Sequence, residues 1–307
     1  PAVASPRCGS PEVLARLRCG DVDEGLLGAL QCLAEDRADR PLLQALRENP
    51  FLRAALEPPH GYEGDPTVVD LALGVAPLPT DTTALGLAMY RWMAAQGATF
   101  AAFRARRRHL AARLDRAADL HPGAQVVGLF AGHGRELSAS QAWRKSRVAV
   151  QLVDFDARAL ARARHDNAAW GQLSTRPVTL AEILAGRVVL GDCALIYAPS
   201  VAENLPDNTL AQLIEALVPS LRPFGEIVIP AFTRLPEPGL LELAAERAPS
   251  TPHLARLHHL ARGLYHPAAP VHDDAAQVLG ALDSAILLHH QLHLARPHLA
   301  GRQVSVL

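Results

Sequence analysis

The chain lacks any run approaching the roughly 20 uninterrupted apolar residues that a bilayer core demands, which argues against a membrane span. It also lacks an excess of charge of either sign. A formal net charge of −1 excludes nucleic-acid or anionic-surface binding driven by bulk electrostatics. No signal peptide is legible, and the four cysteines, Cys8, Cys19, Cys32 and Cys193, have no metal-ligand spacing. They read as thiols in a reducing compartment, so a cytoplasmic location is expected. There is no Gly-x-Ser-x-Gly elbow for acyl transfer and no Gly-x-x-x-x-Gly-Lys-Ser/Thr loop for nucleoside triphosphates. The adjacent carboxylates Asp273 and Asp274 read as a helix cap, where they complement the dipole without facing each other. No internal repeat or low-complexity segment interrupts the chain.

What is present is a 307-residue chain, 49% hydrophobic and 20% charged, enough for one large domain or two moderate ones. Its abundant arginine, alanine and leucine are associated with GC-rich bacterial genomes. The rest is organised around residues 125–156. Gln125-Val126-Val127-Gly128-Leu129-Phe130 reads as a buried parallel strand, being short, partly β-branched and bounded by Pro122-Gly123 and by Ala131-Gly132-His133-Gly134. Gly132 and Gly134 permit a tight turn against a ligand, and Arg135-Glu136-Leu137 then opens a helix whose amide end faces that ligand. A second strand, 148–153, ends at Asp154, 22 residues beyond Gly132, where a Rossmann-like unit places the acid that takes ribose hydroxyls. The third glycine of the dinucleotide fingerprint is missing. That disfavours NAD and fits a nucleoside without phosphates, such as S-adenosylmethionine, with Asp156 as the alternative acid.

Further on, Leu195-Ile196-Tyr197-Ala198-Pro199-Ser200 reads as a core strand running into a loop. Leu205-Pro206-Asp207 leads into a helix over 208–221, and Arg222-Pro223-Phe224-Gly225 turns into a strand over 226–232. In these features the chain resembles class I S-adenosylmethionine-dependent methyltransferases, with Pro223-Phe224-Gly225 in place of their usual Pro-Gly-Gly. Within that superfamily it is most similar to bacterial enzymes of the extracellular factor 3 or hydroxy-fatty-acid methyl ester synthase type. Their Cys-Gly-x-x-Arg-Glu-Leu turn corresponds to Ala131-Gly132-His133-Gly134-Arg135-Glu136-Leu137, and their Leu-Pro-Asp to Leu205-Pro206-Asp207. The resemblance implies an α/β fold, a Rossmann-like methyltransferase sheet with an N-terminal helical domain. The expected division is 1–120 for the helical lid or substrate domain and 121–307 for the cofactor domain.

The N-terminal part predicts helices over 11–18, 24–34, 40–48, 81–96 and 99–120, with Ser10 as the first N-cap and Pro50, Pro58 and Pro59 as interruptions. Between them lies a glycine- and proline-rich loop. The resembling family has Gly-Tyr-x-Gly-Asp there, matched by Gly61, Tyr62, Gly64 and Asp65, which implies a loop over the cofactor with Tyr62 as aromatic wall and Asp65 as polar anchor. The arginines of the 99–120 helix read as a solvated basic face. The family's Arg-x-Arg-Arg element makes Arg107 or Arg108 the expected partner of a carboxylate, either the methionyl one or that of the acceptor. A short third strand over 176–180 would set Thr179 and Leu180 beside the adenine.

The tail departs from the family, whose closing Trp- and Tyr-bearing hairpin is not seen beyond Phe232. Helices are expected over 239–247, 252–265 and 273–295, and a last strand over 302–307. His289 and His293 share a helical face, but without a third ligand no metal site is expected. The leading function is methyl transfer to an O or N nucleophile of a small molecule, a carboxylate by the resemblance. Expected catalytic residues are Tyr197, Ser200 and Tyr62, with Tyr90, His133 and Glu203 lining the site. Cofactor contacts are expected from Gly132, His133, Gly134, Asp154, Phe155, Thr179, Leu180, Ala198, Asp65, Arg107 and Arg108. Two alternatives stand beside it: non-methylating use of the same cofactor, by cyclisation to azetidine-2-carboxylate or aminocarboxypropyl transfer, and a non-catalytic adenosyl-ligand sensor. Oligomeric state is left open.

Overall fold

The computed structural model describes residues 9–34, 38–62, 64–142, 148–201, 205–230 and 303–306. Glu203, the helices expected over 239–247, 252–265 and 273–295, and His289 and His293 lie outside the described residues. The chain divides into two compact units between Arg104 and Ala105, inside a helix and earlier than the boundary expected at 120–121.

The first unit is helical: α1 (Ser10–Cys19), α2 (Val22–Ala34), α3 (Arg40–Leu46), α4 (Pro50–Leu56), α5 (Pro66–Leu73), α6 (Ala84–Gln96) and the start of α7 (Ala98–Leu120). Side-chain caps fix where most of these helices begin. Asp39 accepts from Leu42 N–H, Asn49 from Phe51 and Leu52 N–H, and Thr83 from Gly86 N–H. Ser10 is not the cap of α1. Its hydroxyl donates instead to Asp39 Oδ1 at 2.6 Å, joining the starts of α1 and α3. Pro50 does not interrupt a helix but opens α4, and Pro66 likewise opens α5, where the missing N–H costs nothing. Leu17, Leu26, Leu42, Leu52, Phe51, Met89 and Phe100 form the core of this unit.

The second unit is an all-parallel six-stranded sheet in the order β3-β2-β1-β4-β5-β6. Its strands are β1 (Gln125–Leu129), β2 (Ala149–Asp154), β3 (Leu173–Pro177), β4 (Cys193–Tyr197), β5 (Leu221–Ile229) and β6 (Gln303–Val306). Residues of β1, β2, β4 and β5 enter two cores, one on each face of the sheet. Val126, Val150, Leu152, Leu195 and Val228 pack with Leu110 and Leu114 of α7 and Leu160 of α8 (Ala157–Asp166). Val127, Val153, Ile196 and Ile227 pack with Ile183 of α9 (Leu180–Leu184) and Leu210, Leu213 and Leu217 of α10 (Asp207–Leu217). Burial on both faces explains why β1, β2 and β4 read as nearly continuous apolar runs rather than alternating ones. Each fully buried Leu, Ile or Val contributes about 1.5–3 kcal/mol. The expected α/β Rossmann-like sheet is therefore present, with β5 beginning at Leu221 and not at Glu226.

Candidate functional site

In an open parallel sheet the strand order reverses where two consecutive crossovers run to opposite sides, and ligands bind beyond the carboxyl ends of the strands there. Here that point lies between β1 and β4. The loop after β1 starts with Phe130, whose N–H donates to Val153 O at 2.6 Å and whose φ is +52°. Gly132 and Gly134 follow at φ +54° and +61°. Gly134 is required twice over, because a Cβ there would lie 2.9 Å from Leu152 Cδ1.

The helix expected from Arg135 is absent. Residues 135–136 form a turn, Leu137–Ala139 a single 3-10 turn, and Glu136 and Leu137 point into the interior instead of starting a helix. No helical dipole thus faces a ligand at this loop among the described residues. Side chains hold the loop instead. Asp154 Oδ2 accepts from Gly132 N–H at 3.0 Å, and Arg107 donates to Arg135 O at 2.9 Å and to Ser138 Oγ at 3.0 Å. Arg135 pairs with Asp166 at 2.7 Å, and Asn167 donates to His133 O at 3.4 Å. A loop fixed at this many points is preorganised for whatever it binds.

Asp154 sits at the end of β2, 3% exposed, with Oδ1 accepting from Asp156 N–H at 3.0 Å. Burial pushes its carboxyl above the ordinary value, against the pull of the Asp156 and Gly132 N–H groups. A carboxylate offers about four lone-pair directions, so the backbone bonds from Gly132, Phe155 and Asp156 leave acceptor capacity for a ligand hydroxyl. Asp156 is engaged elsewhere, since its carboxylate caps α8 through Arg158 N–H at 2.9 Å and Ala159 N–H at 3.4 Å. Phe155, between the two acids, is 49% exposed, and its ring meets that of Phe130 at 6.4 Å. Val178 N–H donates to Asp154 O at 2.9 Å, bringing the β3 end beside the acid. Thr179 spends its side chain on a capping box with Glu182 and Leu180 opens α9, so neither lies on a strand as expected.

Several expected site residues have different roles. Tyr197 is not at the mouth of the site: it is fully buried and its hydroxyl donates to Glu136 Oε1 at 2.7 Å. Gly128 makes the room, since a Cβ there would fall 2.5 Å from that hydroxyl. Arg107 does not wait for a ligand carboxylate, being engaged with Arg135 and Ser138, whereas Arg108 is exposed. Ala198 is buried, its N–H bonded to Val228 O at 3.0 Å. Ser200 is half-buried and accepts from Arg106 Nη1 at 3.2 Å, while the same nitrogen donates to Pro199 O at 2.6 Å. His133 is 7% exposed within the loop.

Tyr62, Asp65 and Tyr90 belong to the helical unit. Asp65 is an anchor for its own loop rather than for a ligand: fully buried, it caps α5 through Thr67 N–H and accepts from His60 N–H. Tyr62 is half-buried with its ring edge-on to His60. Tyr90 donates to Leu71 O at 2.7 Å and packs on Phe100, which makes it a core residue. The residues that sequence reasoning overlooked are Phe130, Arg106, Asn167 and the inward role of Glu136. The non-glycine at the head of the turn was the only available signal.

Among the described residues no group of three or more His, Cys, Asp or Glu could hold a metal ion, and no helix is long and apolar enough to cross a membrane. No protein-family model matches the sequence, and no curated protein matches it. Solved structures do overlap it. The chain is similar to S-adenosylmethionine-dependent methyltransferases from Geobacter sulfurreducens and Thiobacillus denitrificans, each in complex with S-adenosylhomocysteine. Identity is 23% in both, over 39% of this chain and 46% of theirs, with TM-scores of 0.30 and 0.31. A protein from Bordetella parapertussis overlaps 92% of both chains at 18% identity and a TM-score of 0.48. The chain thus spans under half the length of those two methyltransferases, and the fold assignment rests on the strand order given above.

Proposed function

We propose that this protein is an S-adenosylmethionine-dependent transferase that methylates an O or N nucleophile of a small molecule, with a carboxylate as the acceptor class implied by the resemblance. The observation that carries the reading is Asp154, a buried acid at the end of β2 that holds Gly132 N–H and keeps acceptor capacity for a ligand hydroxyl. Phe155 offers an aromatic face beside it for a base. When bound, the cofactor supplies an already activated methyl group, so the chain's own work is to bind, orient and exclude water.

A dinucleotide is the competing ligand, because the strand order is also that of dinucleotide-binding sheets. Against it stands the loop itself. Leu137 occupies the third-glycine position of that fingerprint and is fully buried, and no α-helix starts there to receive a pyrophosphate. Calorimetric titration separates the two ligands. S-adenosylhomocysteine is expected to bind and NAD not to; the reverse result overturns the proposal.

A further inference from the structure

Two loops flank the point where the strand order reverses, one after β1 and one after β4, and neighbouring residues of one helix hold both. Arg107 of α7 donates from Nε to Arg135 O at 2.9 Å and from Nη2 to Ser138 Oγ at 3.0 Å. Arg106 donates from Nη1 to Pro199 O at 2.6 Å and to Ser200 Oγ at 3.2 Å. Each arginine thus holds one main-chain carbonyl and one serine hydroxyl, with charge-assisted bonds on both loops.

Helix geometry explains how one segment reaches two loops. Successive helical side chains diverge by about 100°, so Arg106 and Arg107 leave α7 in different directions. The helix itself is fixed to the sheet, because Leu110 and Leu114 in its following turns are buried in the same core as Val126 of β1 and Leu195 of β4. Residues 135–139 form only a turn and a 3-10 turn, and there Ser138 Oγ also donates to Arg135 O at 3.0 Å, closing a ring of three bonds with Arg107. Because β1 and β4 are paired, the sheet sets the distance between their ends. Beyond those ends the ladder stops, and α7 provides the connection.

We infer that Arg106 and Arg107 together form a strut that sets the spacing of the loops after β1 and β4, and that both are positioning residues for an adenosyl ligand seated between those loops. The inference rests on the nucleoside reading proposed above and adds the residues that shape its crevice. A strut has a signature that two separate anchors lack: releasing either end loses the spacing, and releasing the second end adds little.

The test is a double-mutant cycle, read by calorimetric titration of S-adenosylhomocysteine into wild type, Arg106→Met, Arg107→Met and the double variant. Methionine keeps an apolar stem and a good helix former while removing the donors. Each single variant should lose affinity about tenfold, and the double variant should stay within about twofold of the weaker single one. A double loss of about a hundredfold, the product of two tenfold losses, makes the arginines separate anchors and overturns the inference. So does a single variant that binds within about twofold of wild type. Amide hydrogen exchange of the unliganded proteins separates this failure from that of the nucleoside reading. Arg107→Met should speed exchange at Gly134 and Leu137, and Arg106→Met at Ala198, by about tenfold. Unchanged exchange overturns the inference whatever the titration gives. A wild-type protein that does not bind S-adenosylhomocysteine overturns the nucleoside reading and the role toward its ligand, while exchange still decides whether the arginines hold the loops. Should a methionine variant not fold, as judged by urea unfolding, Arg106→Gln or Arg107→Gln takes its place under the same criteria.

Discussion

Tyr197 and Glu136 form a buried pair: the phenol donates to the carboxyl at 2.7 Å, with Tyr197 0% and Glu136 4% exposed. The pair joins the end of β4 to the loop after β1. Burial pushes the Glu136 carboxyl above its ordinary value of 4.5, more than the bond from Tyr197 pulls it down. A group whose folded value is raised holds its proton more tightly in the native state. Its contribution to stability is therefore complete below 4.5 and is lost as pH rises through the folded value. Glu136→Gln keeps an acceptor for the phenol and removes the titration. In urea unfolding, the stability of this variant relative to wild type should grow as pH is raised from below 4.5 to neutrality. A difference that does not change with pH contradicts the assignment. Asp154 shifts in the same direction in both proteins, so it cancels in the comparison.

Removing the phenolic oxygen tests whether Tyr197 serves structure or chemistry. Tyr197→Phe leaves a buried carboxyl without its donor and should lower stability by about 1–3 kcal/mol. If Tyr197 were an acid or base in the reaction, kcat would fall by about 10²–10⁴. The burial of Tyr197 predicts a fall of less than about tenfold at saturating substrate.

The two acids at the end of β2 should separate cleanly. Asp154→Ala removes charge-assisted bonds to ligand hydroxyls worth about 1.5–3 kcal/mol, so S-adenosylhomocysteine affinity should drop by about 10- to 100-fold. Asp156→Ala removes the cap of α8, which typically costs about 1 kcal/mol of stability, with little change in affinity. Titration and urea unfolding of both variants give the comparison; equal affinity losses would place the ribose contact on neither acid alone.

Phe224→Gly should stabilise the protein, because Phe224 has φ +64°. A left-handed non-glycine residue costs about 1–2 kcal/mol, and the added freedom of glycine in the unfolded chain returns about 0.5–1 of that. Because Phe224 is 75% exposed, little packing is lost, and a net gain of about 0.5–1 kcal/mol is expected in urea unfolding. A destabilised variant would show that the ring has a packing role.

The central strands were legible in the sequence because they are buried on both faces and so appear as short apolar runs such as 126–130 and 195–198, whereas β3, Leu173–Pro177, is largely exposed and was placed three residues too late. The spacing from Gly132 singled out Asp154, and the structure bonds its carboxylate to Gly132 N–H, a contact that the spacing alone does not give. The helix after the turn was not, since Arg135-Glu136-Leu137 has the composition of a helix start while tertiary packing draws Glu136 and Leu137 inward. Tyr197 was misplaced for a similar reason: its space is created by Gly128 on the neighbouring strand, and no local pattern records that. Pro50 looks like a break in a helical pattern but begins a helix, because the rule for proline depends on which turn it occupies. Arg107 looked like a ligand for carboxylate because its charge is visible in sequence and its loop partners are not.

The central claim is methyl transfer, and the nucleoside product tests it most directly. All three carbon–sulfur bonds of the sulfonium are activated, so the product depends on which nucleophile is held in line. Purified protein is incubated with S-adenosylmethionine alone and with a panel of small-molecule carboxylic acids, and the nucleosides are identified by mass spectrometry. Methyl transfer predicts S-adenosylhomocysteine, formed only when an acceptor is present. Methylthioadenosine formed from S-adenosylmethionine alone, well above the rate without protein, would contradict it.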